Sequence, residues 1–391
     1  MTVHPTPYTL SIPQISLDDL YNRLANTRLP DQTPGPAWQF GTDRSYMSEL
    51  VQYWRDSFDW RAQGAALNQF PQFMVNLHGI DLHYLYIQGA GPNPTPLLLM
   101  HGWPGSVFEF LDMIPILTDP EQFGGDPSQS FTIIAPSLPG FGLSFQPNQK
   151  RFGAHEMADC FVDLMVNVLG FDRFALQGGD WGSFVASSIA MHHGDHVIGM
   201  HLNMLPIRPD PVAALNATEA EVKYACEIAH WAKDETGYTW IQATRPQTLA
   251  YGLTDSPAGL AAWIAEKFYA WTDHDGTIET AVARDRMLAN VSLYWFTGAI
   301  GSSFWPYYER HHTQWTVPDD AQITVPTGYA AFPAEIRRPP RSIAQKVYRD
   351  LRHWSAMPKG GHFAALEQPH ALAADITKFF NDLRPQPFTA E

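Results

Sequence analysis

The hydrophobic pattern in the middle of the chain alternates between two kinds of segment. The runs PLLLM (96–100), FTIIAP (131–136) and VIGMHLN (197–203) are short and largely apolar. Runs of this kind predict strands that are buried on both faces, as in parallel sheets. Segment 155–170 instead repeats apolar side chains every three or four residues, which predicts a helix packed on the sheet. The alternation predicts a doubly wound, mostly parallel α/β sheet.

The pattern differs on both sides of this alternation. Residues 1–75 are rich in proline, tryptophan and polar residues and predict an N-terminal meander of short helices and coil packed on the core. Segment 208–318 is rich in aromatic residues and helix-like, without a clear strand pattern, and strand patterns then resume. We therefore expect an α/β core made of residues 76–207 and 319–391, with 208–318 inserted as a helical lid. Such an insertion is expected over the carboxyl ends of the strands, where ligands bind.

Composition and charge narrow the classes of function. The 391 residues carry a net charge of −15, so neither nucleic acid nor an anionic membrane is an expected partner. Two cysteines, Cys160 and Cys226, offer no disulfide framework and no metal-ligand cluster, and we expect two reduced thiols. The sequence contains no uninterrupted apolar window of about 18 residues, so we expect no helix that spans a membrane. The N-terminus lacks a signal-peptide pattern, so a cytoplasmic location is expected.

A candidate nucleophile stands at the turn after the run FALQ. The sequence GGDWG (178–182) has the frame G-x-S-x-G with Asp180 in the place of the serine. In a nucleophile elbow the central residue is forced outwards on a strained strand-to-helix turn, and the flanking glycines give the backbone room. The alternative is a solvated loop aspartate or a helix N-cap. The elbow context favours the nucleophile.

Two further residues complete a candidate triad. His362 lies in GGHF, just after a predicted strand, and Glu335 follows the preceding predicted strand. The chain order Asp180, Glu335, His362 is the nucleophile–acid–base order of α/β-hydrolases. Glu335 is expected to fix the imidazole tautomer and to stabilise its protonated form. Asp350 competes for the role of the acid, although it lies within a helix-like run.

A candidate oxyanion hole follows the strand PLLLM directly. The Gly-Pro loop HGWPG (101–105) is expected to turn the backbone N–H of Trp103 towards the nucleophile. Together with the N–H of Trp181 it predicts a site that stabilises a developing negative charge. The alternative is an ordinary strand-to-helix turn.

Four ordered motifs carry a family resemblance. HGWPGS, GGDWGS, PTGYAAFPAE and GGHFAALEQP resemble those of the microsomal-type epoxide hydrolases of the α/β-hydrolase fold, and WRAQGAALNQFPQF is similar to that family's N-terminal segment. The resemblance implies that an epoxide is opened to a vicinal diol through an aspartyl ester, without a metal or organic cofactor. The membrane form of the family carries an N-terminal anchor helix. This sequence shows none, so it resembles the soluble microbial members.

The resemblance also implies two tyrosine donors from the lid. The segment TGYTWIQATRP matches the family around the first donor and gives that role to Tyr238. The second donor follows YWFTGAIGSS by a few residues. Tyr307 in FWPYYER matches the family spacing, while its neighbour Tyr308 leaves the register open.

Rival functions remain at this stage. A haloalkane dehalogenase also uses an aspartate nucleophile on this fold, and a ligand-binding member without catalysis is a further alternative. A serine esterase is disfavoured because no serine occupies an elbow position. The tryptophan-rich lid favours a small apolar or aromatic epoxide as the substrate, and the oligomeric state is open, with a homodimer as one alternative.

Overall fold

The computed structural model describes residues 4–212 and 215–384. Its centre is one sheet, whose strands lie in the order β1-β2-β3-β5-β4-β6-β7-β8-β9. The strands are β1 (Thr6–Tyr8), β2 (Gln72–Leu77), β3 (Ile80–Ile87), β4 (Thr95–Met100), β5 (Phe131–Pro136), β6 (Phe174–Gly178), β7 (Val197–Leu202), β8 (Thr327–Ala331) and β9 (Leu351–Ala356).

The predicted mostly parallel sheet is confirmed. The six strands from β5 to β9 in this order run parallel to their neighbours, whereas β1, β2 and β3 pair antiparallel with one another and β3 pairs antiparallel with β5. All six residues of β5 are buried, as expected for a strand covered on both faces. A tight turn with positive φ at His78 and Gly79 joins β2 to β3.

Helices cover both faces of the sheet and one of its edges. They are α1 (Gln14–Ala25), α2 (Arg44–Asp56), α3 (Trp60–Leu67), α4 (Ile114–Thr118), α5 (Ala154–Asp163), α6 (Asp180–His192), α7 (Glu219–Asp234), α8 (Gly237–Thr244), α9 (Pro246–Asp255), α10 (Pro257–Trp271), α11 (Arg284–Thr297), α12 (Trp305–His312), α13 (Arg341–Val347), α14 (Ala364–Glu367) and α15 (Pro369–Asn381). In the described part of the chain, none of them is long and apolar enough to cross a membrane.

The segment after β4 differs from its sequence pattern. The run SVFEFLDMIPIL predicts a single helix, but the structure has a 3₁₀ turn at Val107–Phe110 and then the short helix α4. Pro115 lies in the first turn of α4. Because proline lacks an N–H and clashes with the preceding turn, it starts a new helix and does not extend the old one.

The lid segment (208–318) lies between β7 and β8 in the chain. Helices α7 to α12 belong to it, and its described residues contain no strand. The N-terminal segment contacts the lid as well as the sheet. The indole Nε1 of Trp54 donates to Ser292 Oγ at 3.0 Å, and the rings of Trp38 and Tyr269 stack with centroids 4.0 Å apart. One end of this segment forms β1, so it also extends the sheet.

Candidate active site

Asp180 stands on a strained turn at the end of β6. Its φ is +44°, a conformation that residues other than glycine rarely adopt. The turn requires small neighbours, because a Cβ on Gly182 would lie 2.2 Å from the carbonyl oxygen of Met100. A Cβ on Gly178 would lie 2.5 Å from the backbone of Gly182. The flanking glycines therefore allow β6, α6 and the end of β4 to approach closely enough to expose the carboxylate.

Backbone N–H groups hold the Asp180 carboxylate. The N–H of Trp103 donates to Oδ1 at 2.7 Å, and the N–H of Trp181 is a second donor. Gly102 makes the approach feasible, since a Cβ there would lie 2.3 Å from the Asp180 Cβ. Burial raises the pKa of Asp180, but the hydrogen bond and charge of His362 and the two N–H groups outweigh burial and hold the pKa below its usual range.

The structure brings His362 and Glu335 next to Asp180. Nε2 of His362 lies 3.5 Å from Asp180 Oδ2, and Nδ1 lies 2.8 Å from Glu335 Oε1. Glu335 also accepts the N–H of Ile336 at 2.7 Å, which orients its carboxylate. Burial lowers the pKa of His362, but the negative charges and hydrogen bonds of Glu335 and Asp180 together raise it well above its usual value. The two carboxylates therefore favour the protonated form of the imidazole.

Asp350, the competitor for the acid position, lies away from this cluster. It follows α13 in a turn and pairs with Arg352 at 2.8 Å, where both side chains are partly exposed. Glu335 is the carboxylate that contacts the imidazole, because it follows β8 directly at the edge of the sheet where the carboxyl ends of the parallel strands meet.

Tyr238 and Tyr307 line the site from the lid. Their ring centroids are 5.8 Å apart, and both rings pack against the indole of Trp103. Burial and then the charge of Asp180 raise the pKa of Tyr238 to about 12. Burial, followed by the neighbouring phenol and Asp180, raises the pKa of Tyr307 well above its usual value. Both phenols are thus neutral hydrogen-bond donors at neutral pH.

Tyr308 points in another direction. Its ring stacks on His312 at 4.1 Å and on Trp305 at 5.2 Å, and the residue is partly exposed. Tyr307 is 2% exposed, and its ring lies 4.8 Å from the ring of Trp181. Of the two neighbouring tyrosines, Tyr307 is the one whose ring faces the candidate nucleophile.

Comparisons with known proteins agree with this geometry. Family models described as "Epoxide hydrolase N terminus" and "alpha/beta hydrolase fold" match residues 5–110 and 95–225. The chain is 37% identical to "Epoxide hydrolase 1" of Oryctolagus cuniculus, over 95% of this chain and 88% of the rabbit protein. The chain belongs to the epoxide hydrolase family.

Solved structures of other epoxide hydrolases share the whole fold. The juvenile hormone epoxide hydrolase of Bombyx mori superposes with a TM-score of 0.85 at 31% identity, covering 98% of this chain and 95% of the other. The Aspergillus niger epoxide hydrolase gives a TM-score of 0.85 at 30% identity, covering 98% and 97%. The expected α/β-hydrolase fold with a helical lid is therefore confirmed, and the dehalogenase and non-catalytic alternatives are not favoured.

The enzyme has a small cavity beside Asp180 that the sequence did not reveal. Its volume is about 20 Å³, and Asp180, His362 and Glu109 are among its walls. Burial raises the pKa of Glu109 to about 8, against the opposing effect of the positive charge of His362. Glu109 interrupts the apolar run SVFEFL. This interruption is the only feature of the sequence that could have drawn attention to Glu109.

A larger cavity of about 760 Å³ is lined mostly by lid residues, and Arg337 of the core also borders it. Tyr307 forms part of its inner wall, and the lid tryptophans Trp231 and Trp240 line it further out. Trp271 is instead part of the site itself, with its ring 5.0 Å from that of His362. In the described residues, no group of three or more His, Cys, Asp or Glu side chains is arranged to hold a metal ion.

Proposed function

We propose that the enzyme converts an epoxide to a vicinal diol through a covalent ester of Asp180. The observation that carries the proposal is the 2.7 Å hydrogen bond from the N–H of Trp103 to Asp180 Oδ1. An N–H aimed at the nucleophile's own carboxylate serves a reaction in which that carboxylate becomes an ester and then a tetrahedral oxyanion. A serine at this position would form an ether, which water does not readily cleave.

In the first step, Asp180 attacks a carbon of the epoxide. Oδ2 is the attacking oxygen, because Oδ1 is held by Trp103 and becomes the carbonyl oxygen of the ester. The epoxide C–O bond breaks, and Tyr238 and Tyr307 donate to the leaving oxygen. The depressed pKa of Asp180 and the raised pKa values of the two phenols keep each group in the form that this step needs.

The proton balance involves His362. In the free enzyme the imidazolium lies between two carboxylates, and esterification removes the charge of Asp180. The pKa of His362 then falls, and its proton is the one that the new hydroxyl group gains, by way of the phenols. His362 is thereby left neutral, as a general base must be for the second step.

In the second step, water attacks the Cγ atom of Asp180 and gives a proton to His362. Trp103 and Trp181 stabilise the charge on Oδ1, the bond from Cγ to the diol oxygen breaks, and the proton returns to that oxygen. The second proton of the water then passes from the new carboxyl group of Asp180 to His362, which restores the carboxylate and the imidazolium. The cavity of about 20 Å³ beside His362 has room for one water molecule, and Glu109 is a polar partner for it there.

The substrate class proposed from the sequence is a small apolar or aromatic epoxide. The rings of Trp231 and Trp240 along the larger cavity support an apolar body for the substrate. The cytoplasmic location, the homodimer and the domain boundaries expected from the sequence stay predictions.

A single turnover in ¹⁸O-labelled water tests the ester. With enzyme in excess over styrene oxide, we expect the first diol to be mostly unlabelled and the peptide that contains Asp180 to carry the label. Water refills the carboxylate when it attacks Cγ, so the diol takes its new oxygen from the enzyme. Labelled diol together with an unlabelled peptide would mean that Asp180 acts as a base on water, and the covalent mechanism would then be wrong.

A further inference from the structure

Two arginines in the cavity walls have no carboxylate partner among the described residues. Arg337 follows Glu335 by two positions and is only 6% exposed. Its Nε and Nη1 atoms are buried and donate no hydrogen bond within the described chain, while its guanidinium lies 5.0 Å from the ring centroid of Trp231. A buried cation with unused donors is costly unless a ligand or counter-charge meets it.

Arg310 projects from α12 into the same region. Four rings surround its guanidinium, and no carboxylate of the described residues pairs with it. The ring centroids lie 4.7–5.6 Å away and belong to Trp181, Phe184, Tyr307 and Trp315. Burial and the positive charge of Arg337 lower the pKa of Arg310 to about 10, which means that the two guanidinium groups repel each other.

The position of this pair connects it to the reaction. Arg310 and Arg337 line a narrow cavity together with Asp180, Tyr238 and Tyr307, and they also line the larger cavity of about 760 Å³. Their charge therefore borders both the space beside Asp180 and the larger cavity. Asp319 and Asp320 also border the larger cavity, but both are exposed at its rim.

We propose that Arg310 and Arg337 bind a carboxylate of the substrate, so that the enzyme acts on epoxy acids. The proposal rests on the proposed function, and the apolar body of the substrate links the epoxide at Asp180 to the carboxylate at the arginines. A planar guanidinium matches a carboxylate with two parallel hydrogen bonds. The anion would also relieve the repulsion between the two arginines.

A local positive charge is needed to bind such an anionic substrate. The chain carries a net charge of −15, and the nucleophile is itself a carboxylate, so an anionic substrate meets repulsion on approach and at the site. Two cations in the cavity wall offset that repulsion where the substrate binds. A purely structural role would be expected to give Arg337 a partner, as its neighbour Arg338 has in Glu227 at 3.5 Å.

The first experiment measures specificity with a matched pair of substrates, 4-(oxiran-2-yl)benzoate and its methyl ester, in which the benzene ring links the epoxide to the carboxyl group. We expect Arg337→Met to lower kcat/KM for the carboxylate roughly 10- to 100-fold, the range for losing a hydrogen bond to a charged group. The value for the ester should change less than about threefold on the same scale. Arg338→Met is the control and should leave both values unchanged. An equal loss for both substrates would mean that Arg337 acts on the chemistry, and the proposal would be wrong.

A second experiment needs no turnover and separates this proposal from the proposed function. Titration calorimetry compares 3-phenylpropionate with 3-phenylpropionamide. We expect the wild type to bind the acid at least about tenfold more tightly and Arg337→Met to lose that difference. Equal affinities in the wild type, or a preference that survives in Arg337→Met, would overturn the anion site. Preferential binding of the acid without turnover of any epoxide would contradict the proposed function and leave the anion site standing.

The thermal midpoint of Arg337→Met gives a further readout. We expect it to stay level or rise, because the substitution removes a buried charge without a partner. A large fall would assign Arg337 to the support of the fold and would contradict the proposal.

Discussion

At the scale of single residues, the proposed mechanism requires Asp180 to be ionised and Tyr238 and Tyr307 to keep their protons. Burial raises the pKa of all three groups. The hydrogen bonds from His362, Trp103 and Trp181 reverse the effect for Asp180 alone. The resulting carboxylate charge in turn raises the pKa of both phenols. One set of contacts thereby favours the ionised form of Asp180 and the neutral form of both tyrosines.

The neighbouring tyrosines give a matched test of the proton donors. Tyr307→Phe should lower the rate of ester formation by the equivalent of about 1–3 kcal/mol, because a donor to the leaving oxygen is lost. Tyr308→Phe is the control and should keep the wild-type rate, since its ring stacks on His312. Stopped-flow tryptophan fluorescence with styrene oxide follows the step. A slow Tyr308→Phe beside a normal Tyr307→Phe would assign the donor to Tyr308.

The raised pKa of Glu109 leads to a prediction of how the free energy of unfolding changes with pH. Its pKa is about 8 in the folded protein and about 4.3 in an unfolded chain. Between these values the folded state binds one proton more, so the free energy of unfolding falls as the pH rises. Glu109→Gln removes this loss, and its stability relative to the wild type should increase from pH 5 to pH 9 by more than about 1 kcal/mol.

Urea denaturation at the two pH values measures this difference. Glu121→Gln is the control, because Glu121 is exposed and should give the same difference at both pH values. A Glu109→Gln difference that is independent of pH would mean that Glu109 is ionised with an ordinary pKa in the folded protein.

At the scale of elements, four residues of the candidate site follow strands of the sheet, whereas Tyr238 and Tyr307 lie on the lid helices α8 and α12. Trp103 follows β4, Asp180 follows β6, Glu335 follows β8 and His362 follows β9. The carboxyl ends of these parallel strands meet at one edge of the sheet, so residues far apart in sequence come together there. The positions of Glu335 and His362 therefore depend on how firmly β8, β9 and the neighbouring strand β7 are held in the sheet.

Asp375 on α15 ties that helix to the sheet. Its carboxylate lies 2.9 Å from Nε2 of His201 on β7 and 2.9 Å from Nε2 of His353 on β9. Burial opposes ionisation of Asp375, but the hydrogen bonds and charges of these partners and of Ser355 hold its pKa well below the usual range. The stabilisation is therefore complete above about pH 4, the unfolded value, and is lost as the pH falls further.

We expect Asp375→Asn to lower the free energy of unfolding at pH 7 by on the order of 2 kcal/mol, the range for hydrogen bonds to a charged group. Asp382→Asn is the control on the exposed end of the same helix and should be neutral. Chemical denaturation at pH 7 and pH 3 gives both values. A loss that is equally large at pH 3 would contradict the role of the Asp375 charge.

At the scale of the whole molecule, the N-terminal segment braces the lid. Trp54 is fully buried and donates to Ser292 on α11, and the hydroxyl group of Tyr53 donates to Asp285 at 2.8 Å on the same helix. Arg23 on α1 pairs with Asp255 at the end of α9 at 2.8 Å. The lid, which carries Tyr238 and Tyr307, is thus supported by contacts with the N-terminal segment.

Trp54→Ala tests this brace. A large-to-small change at a fully buried aromatic residue costs about 3–5 kcal/mol, and we expect a loss of stability in that range. Ile15→Ala on α1 is the control, because Ile15 is 77% exposed. Differential scanning calorimetry measures both, and a nearly wild-type midpoint for Trp54→Ala would mean that the N-terminal segment packs loosely on the lid.

The sequence by itself determined the class of the fold, the family and the residues that lie around Asp180. Alternating buried strands and amphipathic helices have only a few compact arrangements, and a parallel sheet is the one that suits them. The sequence was enough to single out four of these residues, because each follows a recognisable strand: Asp180, Glu335, His362 and Trp103. Strand ends in a parallel sheet converge whatever the loops between them do.

Only the tertiary structure decided which side chains complete the cavity. Neighbouring residues on a helix point about 100° apart, so the choice between Tyr307 and Tyr308 depends on how α12 packs. Glu109, Arg310 and Arg337 carry no spacing that separates them from surface charges. Their burial follows from the lid closing over the sheet edge, and long-range packing of this kind leaves no local pattern in the chain.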